Sequence, residues 1–398
     1  MASKEPFINP FRPSAGINPP YLAGREHERD EFASLLNQRP ILKNLVVTGL
    51  RGIGKTVLLN SFQPLALESG WLWSQNDLNE TTSISEINLI KRILADLSVK
   101  SSNFTIHEDR VKTIGFMPST EIRPVTITYD LLITVFERTP GLNSDKLKNV
   151  FDFFWNHIKD KVNGVVMAYD EAQNLSDNSE KEQFPLSLLL EVSQYLQRRE
   201  IPFLFVLTGL PSLYPTLVET RTYSERMFHV LTLKKLSPDS SREAIRIPIE
   251  KQNCPVSFSE NGISEIVNYS GGYPYFIQFI CKEAYDSYLQ QVQLGLEPVV
   301  VAVSEIVKKL DTDFYSPRWS RLTEGQRDFL KFIASLPNSN SSFTSQDITS
   351  KTKSFGTPGN VSQRLKQLIE KGLLYKENHG VYSFAVPMLA DFINRQTR

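Results

Sequence analysis

Short apolar runs alternate with amphipathic stretches along the first 236 residues of the chain. The strand-like runs are residues 45–47, 71–73, 165–168, 201–207 and 228–233. Apolar residues at helical spacing lie between them, in a helix that carries Phe32, Leu35 and Leu36 and at 84–97, 144–159 and 186–197. Because alternating strands and helices build a parallel sheet with helices on both faces, the pattern predicts an α/β fold.

The first strand-like run lies in the segment NLVVTGLRGIGKTVLLN, residues 44–60. A glycine, four residues and then Gly-Lys-Thr is the spacing of a P-loop, whose backbone N–H groups surround a phosphate at a helix N-terminus. Lys55 is expected to reach the β- and γ-phosphates of ATP, and the Thr56 hydroxyl to bind Mg²⁺. The expected nucleotide contacts in this loop are Gly49, Gly52, Ile53, Gly54, Lys55, Thr56 and Val57.

An acidic pair follows the strand-like run at 165–168, in the sequence GVVMAYDEAQNL. This arrangement resembles a Walker B strand, because the carboxyl ends of parallel strands are where α/β sheets bind their ligands. Asp170 is expected to hold the magnesium ion, and Glu171 to polarise the attacking water.

Composition changes this picture little. The chain has 398 residues, enough for two or three domains, and 44 basic against 44 acidic residues, so no overall charge points to nucleic acid or membrane. Its two cysteines, Cys254 and Cys281, are far apart, which suits a reducing cytoplasm and argues against a zinc site. No apolar run is long enough to span a membrane, and the N-terminus lacks the apolar core of a signal peptide.

The segment YLAGRE, residues 21–26, lies 25 residues ahead of the P-loop and follows a proline-rich, irregular stretch. Together with the P-loop it resembles the start of the origin-recognition-like branch of AAA+ ATPases and the related STAND ATPases. That resemblance implies that Tyr21, Leu22 and Gly24 contact the adenine. The alternative is an ordinary loop at the start of a domain.

The same resemblance implies further roles. Thr208, at the tip of the 201–207 run, takes the sensor-1 position, although its side chain is shorter than the asparagine of many AAA+ proteins. Arg226 becomes the arginine-finger candidate for a neighbouring subunit, with Arg221 and a plain surface role as the alternatives. In Gly-Gly-Tyr-Pro at 271–274, Pro274 is expected to abut the nucleotide, and residues 275–280 carry no arginine at the sensor-2 position.

Residues 98–140 interrupt the alternation with β-rich runs at 111–116 and 125–129. We interpret them as an insertion, serving either partner binding or, more simply, as a hairpin that covers a sheet edge. Residues 237–290 indicate consecutive helices that form a lid.

The C-terminal part predicts three helices and a hairpin, the order of a winged helix, beginning with a capping box at Thr323 and Gln326. Residues 321–398 hold eleven Lys or Arg against six Asp or Glu. We expect DNA contacts through the third helix and the hairpin, which turns at His379, whereas a winged helix that binds protein is the alternative. The candidate DNA contacts are Asn360, Gln363, Arg364, Gln367, Lys371 and Lys376.

The sequence therefore predicts a P-loop core at 1–236, a helical lid at 237–315 and a winged helix at 316–398. The expected function is an ATP- and Mg²⁺-dependent molecular switch that hydrolyses ATP, associates with DNA, recruits a protein partner and forms nucleotide-dependent homo-oligomers. The alternative is a signalling ATPase whose output is a protein contact without DNA.

Overall fold

The structure is a computed structural model that describes residues 8–396 apart from 15, 102–104, 115–116, 255–256, 297–302, 338–341, 352–353 and 379. Its strands are β1 (Asn44–Thr48), β2 (Trp71–Asp77), β3 (Thr105–Ile114), β4 (Met117–Thr126), β5 (Gly164–Asp170), β6 (Phe203–Gly209), β7 (Phe228–Thr232), β8 (Phe343–Thr344), β9 (Leu374–Asn378) and β10 (Val381–Phe384).

The helices of the N-terminal half are α1 (Glu26–Leu36), α2 (Lys55–Glu68), α3 (Glu80–Ser83), α4 (Glu86–Ser101), α5 (Tyr129–Arg138), α6 (Asn143–Ile158), α7 (Pro185–Arg198), α8 (Leu213–Thr220) and α9 (Ser224–Met227). Those of the C-terminal half are α10 (Pro238–Lys251), α11 (Glu260–Ser270), α12 (Pro274–Gln293), α13 (Val303–Leu310), α14 (Ser316–Ser320), α15 (Glu324–Ala334), α16 (Ser345–Lys351), α17 (Pro358–Glu370) and α18 (Leu389–Gln396). A π-helical turn, Asp311–Tyr315, joins α13 to α14.

A five-stranded parallel sheet forms the centre of the N-terminal half, in the order β2-β5-β6-β1-β7. Every residue of β1, β5 and β6 is buried, as expected for apolar strands covered by helices on both faces. The predicted α/β fold is confirmed. Because β5, β6 and β1 are parallel neighbours, their carboxyl ends lie side by side. The P-loop, the acidic pair and Thr208 therefore lie together at this end of the sheet.

The region predicted as an insertion contains two different structures. β3 and β4 form an antiparallel ribbon that, among the described residues, pairs only with itself and does not extend the large sheet. The two strands are the hairpin that the sequence predicted, and its role in covering a sheet edge stays a prediction. The run at 125–129 does not continue as a strand, because α5 begins at Tyr129, capped by the Thr128 side chain. Leu132 and Phe136 of α5 are buried in the core, so the end of the predicted insertion packs against the sheet domain.

One continuous apolar core joins the helices α10–α13 to the C-terminal part, from Ala244 to Ile393. Tyr315 stacks on Phe392 with ring centroids 5.0 Å apart, and its hydroxyl donates to the Pro387 carbonyl at 2.8 Å. The predicted boundary at residue 315 stays a prediction, and the packing across it is that of a shared core. The capping box at Thr323 and Gln326 is confirmed. No helix within the described ranges is long and apolar enough to cross a membrane.

Candidate nucleotide-binding site

The P-loop connects β1 to α2 in a conformation that depends on glycine. Gly52 and Gly54 have φ values of +75° and +95°, in the left-handed region that favours glycine. A Cβ at Gly49 would lie 2.8 Å from the Ile53 side chain, so this glycine allows the loop to fold tightly on itself. The loop therefore directs its backbone N–H groups and the N-terminus of α2 towards the same point, as an anion site requires.

Lys55, the first residue of α2, is only 8 % exposed. Its ammonium group donates to the Gly49 carbonyl at 2.9 Å and to the Leu50 carbonyl at 3.1 Å. Burial lowers the pKa of Lys55, whereas the nearby carboxylates of Glu171 and Asp170 act in the opposite direction. A phosphate at this position provides a desolvated ammonium with the counter-charge that favours its protonated form.

Asp170 is the last residue of β5 and links the loop to the neighbouring strand. One carboxylate oxygen accepts a hydrogen bond from the Thr56 hydroxyl at 2.5 Å, and the other accepts one from the Thr208 hydroxyl. Thr56 and Asp170 thus lie together, as the predicted magnesium ligands must. No cluster of three or more acidic, His or Cys side chains suitable for a metal occurs in the part of the chain that the structure describes. A hydroxyl and one carboxylate nevertheless fit Mg²⁺, which commonly takes one or two protein oxygens, substrate phosphates and water.

Glu171 follows Asp170 directly and has φ +52°, a conformation that non-glycine residues adopt rarely. Its side chain lines the cavity beside the P-loop and accepts a hydrogen bond from the Gln173 amide. The amide oxygen of Gln173 in turn accepts from the Leu210 backbone N–H at 3.0 Å, just after β6. Because strained backbone of this kind concentrates at functional sites, the geometry favours a role for the Glu171 carboxylate in chemistry.

A third carboxylate lies at the same edge of the sheet. Asp77 ends β2 and is the register partner of Asp170. Burial, together with the charges of Asp170 and Glu171, raises the pKa of Asp77. Sequence reasoning missed this residue, because the predicted strand ended at residue 73 whereas β2 continues to Asp77. Asp77 adds negative charge beside Asp170, the predicted magnesium ligand.

A cavity of about 410 Å³ opens beside the P-loop. It brings together most of the predicted contacts, namely Tyr21, Leu22, Gly52, Ile53, Gly54, Lys55, Thr56, Val57, Glu171 and Pro274. Gly24 and Gly49 do not line it. Gly24 has φ +59°, and a Cβ there would lie 2.5 Å from the Ser240 hydroxyl, so this glycine lets the chain approach α10 closely. Its predicted adenine contact stays a prediction, and the structure gives this glycine a packing role.

The arginine of the YLAGRE segment contacts the P-loop and lines the cavity. Arg25 is 5 % exposed and donates to the Ile53 carbonyl at 3.2 Å and to the Lys234 carbonyl at 2.8 Å. Its guanidinium also pairs with Glu28 at 3.0 Å. Arg25 therefore joins the segment before α1, the P-loop and the chain after β7.

The proline-rich lead-in covers one side of the cavity. Phe11 is buried against Phe258 and Tyr285, and the Arg12 backbone N–H donates to the Gln278 side chain at 3.1 Å. The Gly16 carbonyl accepts from the Asn60 amide of α2 at 3.3 Å, so the lead-in spans from α12 to α2. The cavity residues that sequence reasoning missed include Arg12, Pro13, Ser14, Gly16, Ile17 and Pro19 from this segment and Arg51, Tyr273, Tyr275, Phe314, Arg318 and Pro387 from elsewhere.

The predicted sensor and finger residues lie outside the cavity lining. Thr208 is completely buried, and its hydroxyl donates a hydrogen bond to Asp170, so its predicted sensor role would act through that carboxylate. Arg226, in α9, is exposed and, within the described residues, forms no ion pair with a carboxylate. Arg221 is also exposed, and its guanidinium donates weakly to the Thr220 carbonyl at 3.4 Å. Both arginines are accessible to a second subunit, and neither faces the P-loop of its own chain.

The candidate DNA contacts divide into two groups. Asn360, Gln363 and Lys376 are exposed. Arg364 is half-buried, with its guanidinium 5.9 Å from the Phe329 ring centroid and 5.8 Å from that of Phe355. Its role as a base-reading residue stays a prediction. The contacts with Phe329 and Phe355 also give Arg364 a packing role.

Two further members of that set contact the segment around α15. The Lys371 ammonium donates to the Gln326 side chain at 2.8 Å and to the Arg321 carbonyl at 3.2 Å. Gln367 accepts from the Gln326 amide at 3.4 Å. His379 lies outside the described residues.

Five parallel strands in this order, with a P-loop after β1 and an aspartate ending β5, define a P-loop NTPase. Residues 21–206 match the family described as AAA ATPase domain, and this part of the chain belongs to it. It is therefore a nucleotide-binding domain. Residues 312–393 match a family described as a domain of unknown function, DUF8462. No curated protein matches the sequence.

Solved structures share the fold along nearly the whole chain. The Walker-type ATPase PABY2304 of Pyrococcus abyssi is 18 % identical, with a TM-score of 0.58 over 94 % of this chain and 96 % of that one. The ORC2 protein of Aeropyrum pernix, in its ADPNP-ADP complexes, is 13 % identical, with a TM-score of 0.55 over 96 % of both chains. At these identities the likeness concerns the fold.

Proposed function

We propose that this protein is an ATP-binding and ATP-hydrolysing molecular switch of the AAA+ or STAND kind. The observation that carries the proposal is the contact between the Thr56 hydroxyl and the Asp170 carboxylate, 2.5 Å apart, with Lys55 and Glu171 lining the same cavity. These four side chains are the ones that phosphoryl transfer to water requires. They provide a counter-charge for the phosphates, two oxygen ligands for Mg²⁺ and a carboxylate that polarises water.

In the proposed reaction the P-loop N–H groups and Lys55 hold the β- and γ-phosphates. Mg²⁺ supplies charge neutralisation between these phosphates when it is bound by Thr56 and Asp170. Glu171 accepts a proton from the attacking water, and Gln173 fixes the direction of its carboxylate. Tyr21 and Leu22, which line the same cavity, are the proposed contacts of the base.

The test uses two variants with opposite expectations. Lys55→Ala is expected to lose tight ATP binding, because it removes the main side-chain counter-charge in a desolvated loop. Glu171→Gln is expected to retain ATP and to lower turnover by about 10²- to 10⁴-fold, the contribution of a positioned general base. Isothermal titration and phosphate release measure the two effects. ATP affinity unchanged in Lys55→Ala contradicts the proposal.

The switch output is proposed to pass through the C-terminal part, which we interpret as a winged helix. Its three helices α15, α16 and α17 and the antiparallel sheet β8-β10-β9 support that interpretation. A net excess of basic residues at 321–398 supports DNA as the ligand. The exposed candidates for these contacts are Asn360, Gln363, Gln367, Lys371 and Lys376.

The second candidate function is a signalling ATPase with a protein output. It is favoured by the contacts that Arg364, Gln367 and Lys371 make within the C-terminal part, which engage these side chains with the protein itself. Mobility shifts with and without ATP separate the two functions. If DNA is bound, Lys376→Ala should reduce the slope of log affinity against log salt by about one, the loss of one phosphate contact. No binding at low salt with ATP present favours the protein output.

A further inference from the structure

Arg318 lies in α14, between the helical segment α10–α13 and the C-terminal part, and its side chain lines the same cavity as the P-loop. The guanidinium is half-buried, lies 4.2 Å from the Phe314 ring centroid and donates to the Phe314 carbonyl. These contacts fix the direction of the group while leaving most of its N–H donors for a ligand.

A chain of contacts connects Arg318 to the P-loop. The Tyr275 backbone N–H donates to the Gly52 carbonyl of the P-loop at 3.3 Å, and a Cβ at Gly52 would lie 3.1 Å from the Tyr275 Cβ. The Tyr275 ring lies 5.3 Å from the Phe314 ring, on which Arg318 rests. Arg318 is therefore linked to the P-loop through two side chains, Tyr275 and Phe314.

A second guanidinium lines the same cavity. Arg51 of the P-loop is part of its lining, and after burial its charge is the largest influence that lowers the pKa of Arg318. Arg51 also acts to lower the pKa of Lys55, which lines the cavity as well. Within the described residues neither arginine forms an ion pair with a carboxylate, so each guanidinium keeps N–H donors for an anion bound in the cavity.

We propose that Arg318, together with Arg51, binds the terminal phosphate of a nucleoside triphosphate. This inference rests on the proposed nucleotide function and adds a residue from outside the AAA ATPase domain to its site. Because the β-phosphate is already enclosed by the P-loop, the pair reads the presence of the third phosphate. The planar guanidinium suits this task, since it donates two parallel hydrogen bonds to a phosphate.

The test compares the affinities of Arg318→Ala for a non-hydrolysable ATP analogue and for ADP, both with Mg²⁺, by isothermal titration. The expected result is affinity for the ATP analogue weakened about 10- to 100-fold, the contribution of charge-assisted hydrogen bonds. Affinity for ADP should change by less than about threefold. Arg321→Ala, an exposed arginine three residues further on and outside the cavity lining, is the matched control and should change neither.

Two further variants keep the result interpretable. Arg318→Lys retains the charge but not the paired donors, so it should fall between wild type and alanine; it also serves if the alanine variant does not fold. Arg51→Ala should reproduce the selective loss for the triphosphate. Equal losses for the ATP analogue and ADP, or no loss for either, overturn the assignment. If wild type binds neither nucleotide, the proposed function itself has failed. This outcome differs from a failure of the Arg318 assignment alone, in which wild type binds ATP and Lys55→Ala loses that binding.

Discussion

Arg25→Ala tests whether the segment before α1 stabilises the P-loop. The substitution removes hydrogen bonds to the Ile53 and Lys234 carbonyls and the ion pair with Glu28. A hydrogen bond that involves a charged group contributes about 1.5–3 kcal/mol, and a partly exposed ion pair about 0–1 kcal/mol. We therefore expect a loss of about 3–7 kcal/mol in the free energy of unfolding of the sheet domain.

The matched control is Glu28→Gln, which removes the ion pair and keeps both carbonyl contacts. It should cost about 1 kcal/mol or less. Urea unfolding followed by tryptophan fluorescence measures both variants, because Trp71 and Trp73 are buried in β2 of the same sheet. The comparison is valid where the slope of free energy against urea is unchanged.

A functional measurement accompanies the stability measurement. The Ile53 carbonyl belongs to the P-loop, so its release should loosen the loop and weaken ATP affinity about tenfold, equivalent to about 1.4 kcal/mol of lost preorganisation. The ATP affinity of Arg25→Lys should lie between those of wild type and Arg25→Ala, because an ammonium group lacks the planar set of donors with which a guanidinium reaches two carbonyls. If Arg25→Ala destabilises the protein no more than Glu28→Gln, the two carbonyl contacts contribute nothing and the reasoning is wrong.

Two other predictions concern stability and assembly. Asp96 is buried, and burial raises its pKa despite the opposing hydrogen bond from Arg92. The folded protein therefore holds this proton more tightly than the unfolded chain does. Wild type should accordingly lose stability as pH rises from about 4 through the raised pKa of Asp96. The urea midpoint of Asp96→Asn relative to wild type should accordingly increase over that range, and a constant difference contradicts the assignment. Arg226→Ala should leave ATP binding intact and lower hydrolysis if the arginine acts on a neighbouring subunit, with wild-type activity per subunit rising with protein concentration; Arg221→Ala is the comparison. Concentration-independent turnover by a monomer excludes the finger.

The predicted site residues that lie together in the structure are local in the chain. Glycine spacing, the Lys-Thr pair and the acidic pair each follow an apolar strand directly, so one short segment specifies both the conformation and the side chains. Once β1, β5 and β6 are neighbours in the sheet, Thr56, Asp170 and Thr208 must meet at its edge. The strand pattern therefore predicted the centre of the site.

The remaining walls of the cavity come from distant parts of the chain. Arg12 is held by Gln278 of α12, and Arg318 rests on Phe314 in the π-helical turn. A proline-rich stretch and a single arginine have no periodicity that could indicate such neighbours. Gly24 shows the same limitation in another way, since only the position of α10 reveals that its missing Cβ serves packing.

The contacts of the C-terminal part show how a nucleotide could influence a distant surface. Pro387 lines the cavity, and a Cβ at Gly372 would lie 3.3 Å from the Arg51 guanidinium. A ligand shifts a conformational equilibrium only by the difference in its affinity for the two states. A triphosphate that binds Arg51 and Arg318 has such a difference, because both side chains contact the C-terminal part or the segment leading to it, whereas a diphosphate held by the P-loop alone does not. If a nucleotide couples to the C-terminal surface, that coupling should therefore require the third phosphate and should be lost in Arg318→Ala even at saturating ATP.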